Sequence, residues 1–213
     1  TVAIHNDTVY VSVGSSCNAC EEKPAEIRAR IMQMSPDGSN QQVIASGLRN
    51  AVGIKFFGDD LIATAMGSDH LGDDKPDEAV YAIQNGRYYG WPYCYQYQGN
   101  IYADDTKQWE HPLDCSVVPY ALATFPAHSA PLGLEDFGDY FLVALHGSGN
   151  ISVGQVPRIV RVARDGTVSD FITGFESNGK RTGRPVDILR MPDTDDFFFT
   201  DDLGGTLYYV KQE

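Results

Sequence analysis

Residues 49–54 read Arg49-Asn50-Ala51-Val52-Gly53-Ile54, and the pattern returns as Ser129-Ala130-Pro131-Leu132-Gly133-Leu134 and as Gly183-Arg184-Pro185-Val186-Asp187-Ile188. Each time a small or polar turn leads into an apolar pair around Gly or Asp. An acidic or Gly turn comes next, then an apolar run: Leu61-Ile62-Ala63-Thr64, Phe141-Leu142-Val143-Ala144 and Phe197-Phe198-Phe199-Thr200. A polar loop and one more run follow, at Glu78-Ala79-Val80-Tyr81, Arg158-Ile159-Val160-Arg161 and Thr206-Leu207-Tyr208-Tyr209. Self-similarity at this spacing marks an array of units that bury their faces against neighbours.

Outside these units the periodicity is also that of strands. Residues 8–13 alternate as Thr-Val-Tyr-Val-Ser-Val and stop at Gly14. Residues 28–34 alternate again and end in Ser35-Pro36-Asp37-Gly38, whose Pro and Asp-Gly pair suit a tight turn. No stretch keeps an i, i+3, i+4, i+7 apolar stripe over a dozen residues. The expectation is an all-β chain and a β-propeller of four-stranded blades, with residues 1–213 forming one partial propeller of about three to four blades. That is too few to close a ring. A β-sandwich with coincidental spacing is the alternative that the pattern leaves open.

Composition narrows the function classes. The 213 residues are 42% hydrophobic and 21% charged, which is globular rather than disordered. Sixteen Lys+Arg against 29 Asp+Glu leave a net charge of −13, which disfavours DNA, RNA and anionic membranes, since affinity for those rests on basic residues neutralising phosphates. No nucleic-acid partner is expected. No apolar run nears the ~18 residues of a membrane span. The chain opens at Thr1-Val2-Ala3-Ile4, already inside an apolar pattern, so sequence upstream is expected to be missing.

Two irregular segments, residues 67–77 and 90–126, break the repeat, and long loops in compact domains are usually functional. The four cysteines, an even count, suggest an oxidising compartment. Cys94 and Cys115 are favoured as a bridge across the second segment; Cys17 and Cys20 are either a short bridge or a reduced pair, with no second pair to make a zinc site. Asp69, Asp73, Asp74, Asp77 and Glu78 crowd one loop with the oxygen donors a hard cation takes, although without an EF-hand frame, and such a loop alone reads as solvated. His70, His128 and His146 are candidates for acid–base work, but no hydrolase motif accompanies them. Arg49-Asn50 and Arg184 open repeat units, where a propeller faces its central channel and a guanidinium fork suits a carboxylate.

Seven stretches occur in an order that resembles a known family: Val13-Gly14-Ser15-Ser16-Cys17-Asn18-x-Cys20-Glu21, Gly47-Leu48-Arg49-Asn50-x-Val52-Gly53, Asp69-x-Leu71-Gly72-Asp73-Asp74-x-Pro76-Asp77-Glu78, Tyr89-Gly90-Trp91-Pro92-Tyr93-Cys94, His128-Ser129-Ala130-Pro131-Leu132-Gly133, His146-Gly147-Ser148 and Gly183-Arg184-Pro185-Val186. The chain is similar to the sorbosone dehydrogenase and soluble glucose (aldose sugar) dehydrogenase family, over essentially its whole length. The resemblance implies a six-bladed propeller that binds pyrroloquinoline quinone (PQQ) with Ca²⁺ and oxidises an aldose or sugar aldehyde by hydride transfer to the quinone. It implies cofactor-binding roles for Arg49, Asn50, Arg184, Asp201 and His146, with Asn50 assisting near the reactive carbonyls. His146 stands where the glucose enzymes carry a Lys. It further implies that Gly72 and Asp73 hold the Ca²⁺.

The family's general base is a His upstream of the strand that opens this chain, so no catalytic base is expected within residues 1–213. Where relatives tend to carry an aromatic, this chain has Gly149-Asn150. The implied partners are a small sugar or aldehyde and an external electron acceptor, a cytochrome or a quinone, in the periplasm or outside the cell. Two other readings compete: a Ca²⁺-dependent lactonase-type hydrolase, and a non-enzymatic extracellular propeller that binds a protein partner.

Overall fold

The computed structural model describes residues 1–23, 25–149 and 154–212; Asn150 lies outside them. The first alternating run becomes β2 (Thr8–Val13), paired with β1 (Val2–His5) on one side and β3 (Arg30–Met34) on the other, with β4 (Gln42–Ser46) outermost. The chain then enters β5 (Ile54–Phe57), β6 (Asp60–Ala65) and β7 (Glu78–Ala82), and β8 (Arg87–Tyr88) returns to add in parallel to β4. A separate hairpin, β9 (Cys94–Tyr97) and β10 (Asn100–Ala103), precedes β11 (Ala123–Phe125), which completes the second sheet in the order β11-β7-β6-β5. The third sheet is β12 (Pro131–Asp136), β13 (Tyr140–Leu145), β14 (Arg158–Ala163) and β15 (Val168–Ile172). After a small hairpin of β16 (Glu176–Ser177) and β17 (Lys180–Arg181), three strands form the last sheet: β18 (Pro185–Arg190), β19 (Phe197–Asp201) and β20 (Thr206–Val210). The described residues contain no α-helix, and no helix long and apolar enough to cross a membrane.

These are four successive meandering blades. The repeat visible in the sequence begins only at the second, because the first is interrupted by residues 14–29 between β2 and β3. Each core lies between two blades. Ile31, Ile44 and Ala45 of the first pack with Ile54, Ala63 and Tyr81 of the second. Phe141, Val143 and Leu145 of β13 face the second blade, where they meet Phe57, Ile62 and Val80. Leu142 and Ala144 face the other way, toward Ile188, Phe197 and Phe199 of the fourth. The two-residue strand period thus buries both faces of β13, which is why its sequence is apolar without a break.

The first strands β1, β5, β12 and β18 lie side by side about a common channel. Two glycines permit this approach. A Cβ on Gly53 would stand 2.3 Å from the carbonyl oxygen of Leu132, and one on Gly133 would stand 2.2 Å from Asp187 Oδ1. Gly53, Gly133 and Asp187 hold the same position in the three repeat units, so the first strands run level with one another. Across the channel wall, Lys55 Nζ is 2.7 Å from Glu135 Oε2, an ion pair between the second and third blades.

His5 ends β1: the turn into β2 is only Asn6-Asp7, both at positive φ (46° and 55°), as a tight two-residue hairpin requires. Its ring stacks on Phe56 with centroids 4.1 Å apart, and Nε2 lies 3.1 Å from Asp59. Residues 90–126 are not wholly irregular, since they supply β9, β10 and β11.

Gly53→Ala drives a methyl into main chain that cannot swing aside. It is expected to lower unfolding free energy by about 2 kcal/mol, read as a reduced urea midpoint with an unchanged slope.

Candidate active site

The repeat brings the entrances of the first strands and the exits of the second strands to one axial end. Three equivalent hydrogen bonds mark this level: Met66 N–H to the Asn50 carbonyl (3.0 Å), His146 N–H to the Ala130 carbonyl (3.0 Å) and Asp202 N–H to the Arg184 carbonyl (3.3 Å). Asn50 and Arg184 therefore occupy the same position in the second and fourth blades. The cofactor-binding candidates all cluster at this end, in two groups.

In the first group, Arg49 Nη2 lies 3.4 Å from Asp69 Oδ2, and Asp69 Oδ1 lies 3.3 Å from His128 Nδ1. His128 is held at φ 63° and its Nε2 is 2.9 Å from the Gly72 carbonyl oxygen. Arg49 Nε is buried without a hydrogen-bond partner. Asn50 Nδ2 contacts Met66 Sδ at 3.6 Å. Arg49 and Asn50 share a concavity of about 240 Å³ with residues 14–17. Glu78 is only 4% exposed and its Oε2 accepts the Gly67 N–H at 2.8 Å. Burial pushes its carboxyl up to about 7, and the charge of Asp69 adds to this against the Gly67 amide, Arg49 and His128.

In the second group, Arg184 donates from Nε to the His146 carbonyl (3.0 Å) and from Nη2 to the Gly147 carbonyl (2.8 Å). Burial lowers the guanidinium's pKa and nearby Arg181 adds to this, while Asp202 opposes it. Asp201 is 2% exposed, and its Oδ1 accepts the N–H groups of Arg184, Leu203 and Gly204. That carboxylate organises the main chain at the mouth of the fourth blade, and its Oδ2 is buried without a partner. His146 Nε2 pairs with the Asp202 carboxylate at 2.9 Å.

Gly72 and Asp73 diverge. The Gly72 carbonyl faces His128, whereas exposed Asp73 lines a separate depression of about 650 Å³ with Asp74, Asp77, Tyr97 and Gln98. The sequence offered His128 and His70 as candidates for acid–base work without a partner for either. The fold gives each an acidic partner, Asp69 for His128 and Asp104 for His70 at 2.8 Å. Sequence reasoning also missed the burial of Glu78, which only the register of β7 against β6 reveals. Both cysteine pairs are bonded, Cys17–Cys20 and Cys94–Cys115, which settles the open case and fits a protein of an oxidising compartment.

This fold is that of the propeller domains of PQQ-dependent sugar dehydrogenases. The holo form of the pyranose dehydrogenase PQQ domain from Coprinopsis cinerea superposes with a TM-score of 0.83 at 22% identity, covering 99% of this chain and 69% of that one. The calcium structure of a Trichoderma reesei Carbohydrate-Active Enzymes Family AA12 protein gives 0.77 at 18% identity, covering 100% and 67%. The PQQ-bound aldose sugar dehydrogenase from Streptomyces coelicolor gives 0.66 at 18% identity, covering 93% and 54%. No protein-family model matches the chain. It is 28% identical over 229 residues to an uncharacterized protein of Borreliella burgdorferi, across 98% of this chain, and it spans 58% of that protein's length.

Glu78 makes stability depend on pH. Its folded-state value lies above its unfolded one, so its contribution is fully present below about 4.5 and is lost as pH rises through about 7. Glu78→Gln is expected to flatten the stability profile between these limits, a difference of roughly 3 kcal/mol in chemical denaturation.

Proposed function

We propose that this chain forms part of a PQQ- and Ca²⁺-dependent dehydrogenase that oxidises an aldose or sugar aldehyde and passes the electrons to a cytochrome or quinone, in the periplasm or outside the cell. The observation that carries the reading is the convergence of Arg49, Asn50 and Arg184 at one axial end of the blades. Two guanidinium groups beside a channel mouth call for an anionic ligand, in a chain whose net charge is −13. The donor set fits such a ligand: Arg49 Nε has no partner, and Arg184 is braced by two carbonyls rather than consumed by a carboxylate.

PQQ, when bound, supplies three carboxylates and a quinone that takes up two electrons from the sugar's C1. In this reading Arg49 and Arg184 bind the carboxylates, and Asn50 orients the cofactor near its reactive carbonyls. The Gly72 carbonyl would be an oxygen donor for Ca²⁺, whereas Asp73, on its separate depression, would have to turn toward it to take part. His146, fixed by Asp202 and joined through its carbonyl to Arg184, would help to hold the cofactor. Asp201 borders the pocket and holds the Arg184 main chain in place.

A PQQ titration followed by absorbance, with and without Ca²⁺, tests the reading. Saturable binding that a chelator reverses is expected, with loss of at least tenfold in affinity for Arg49→Ala and for Arg184→Ala. Absence of binding by the folded wild-type protein would overturn it and favour a protein-binding propeller.

A further inference from the structure

The short helical turn Asp69–Leu71 lacks a cap from its own chain neighbour: Ser68, which precedes it, makes no side-chain capping bond. A helical turn leaves its first N–H groups without internal partners. Here the Asp69 N–H donates to Asn18 Oδ1 at 3.0 Å, across 51 residues of sequence. Asn18 belongs to the loop between β2 and β3 of the neighbouring blade.

That loop is fastened on every side. The Cys17–Cys20 bridge closes a four-residue ring around Asn18. Ser15 Oγ donates to the Cys17 carbonyl at 2.6 Å, and Ser15 N–H donates to the Arg49 carbonyl at 2.7 Å. The Asn18 carbonyl accepts from Nε1 of buried Trp91 at 3.0 Å. The side-chain oxygen of Asn18 is therefore held on a fixed frame, pointed at Asp69.

We propose that Asn18 is a positioning residue: acting from the disulfide-closed loop, it caps the Asp69–Leu71 turn and so fixes the carboxylate that pairs both Arg49 and His128. Through His128 the same fixation reaches the Gly72 carbonyl. Its consequence for cofactor binding rests on the function proposed above; the positioning itself does not.

The test compares Asn18→Ala with Asn18→Asp, which keeps the capping oxygen, in the intact protein by NMR. Asn18→Ala is expected to speed amide exchange at Asp69 about fivefold or more, as loss of one hydrogen bond implies, and to shift the His128 ring nitrogen resonances. Asn18→Asp is expected to restore both. The Trp91 indole resonance, which reports the loop's main-chain anchor, should stay in place in each variant. Unchanged exchange at Asp69 in Asn18→Ala overturns the proposal, as does an unmoved His128 ring or a Trp91 signal that moves as far as His128's. If the wild type binds PQQ, its affinity should fall severalfold in Asn18→Ala and recover in Asn18→Asp. If the wild type binds none, the cofactor reading fails alone, and the exchange and ring measurements still decide the role of Asn18.

Discussion

The close contact of neighbouring first strands at Gly53 and Gly133 is the constraint on which the rest of the molecule rests. Side chains at those two positions would hold the blades apart, and the apolar layers between them would not close. Because Gly53 meets the Leu132 carbonyl and Gly133 meets Asp187 and the Val186 carbonyl, the contact also sets the height of each blade relative to the next. Asn50 and Arg184, three residues before the level of contact in their units, are delivered to the same axial end by that alignment. The convergence of the site is thus a result of packing at the channel and not of any direct contact between its two groups.

On this rigid frame the polar residues are organised by carboxylates used as scaffolding. Asp201 spends one oxygen on three main-chain N–H groups, and Glu78 holds the Gly67 amide from beneath the Arg49 group. Buried acids that receive backbone donors are stable only where those donors are present, so each fixes the loop it serves. The arginines are positioned in turn: Arg184 by two carbonyls, Arg49 by Asp69. Among these acids and carbonyls, Arg49 Nε is left without a partner.

Much of this was legible in the residues. The alternating run 8–13 is β2 to the residue, between Asp7 and Gly14, and the runs at 141–144 and 206–209 lie inside β13 and β20, which Asp139 and Gly205 precede. The repeat register put Asn50 and Arg184 at equivalent positions before any contact was known. The hairpin from β1 to β2 was not legible, although the chain opens in an apolar run, because its turn is Asn6-Asp7 without Gly. Nor were β9 and β10, where Tyr, Gln and Cys alternate without a strong contrast in polarity. The acidic partners of His70 and His128 lie 34 and 59 positions away in sequence, on loops whose encounter depends on how the second blade's hairpin folds back. A linear reading sees the histidines and the acids but not their pairing.

The ion pair in the channel wall has a consequence for how this sequence can vary. Lys55 and Glu135 are 80 residues apart, yet neither position is free to drift alone. Glu135 is buried, and replacing Lys55 by an uncharged residue strands a carboxylate in the wall, while replacing both by apolar residues of similar volume removes the difficulty. The two sites are bound to change together or not at all. Divergence between the second and third blades is therefore limited by a single shared charge.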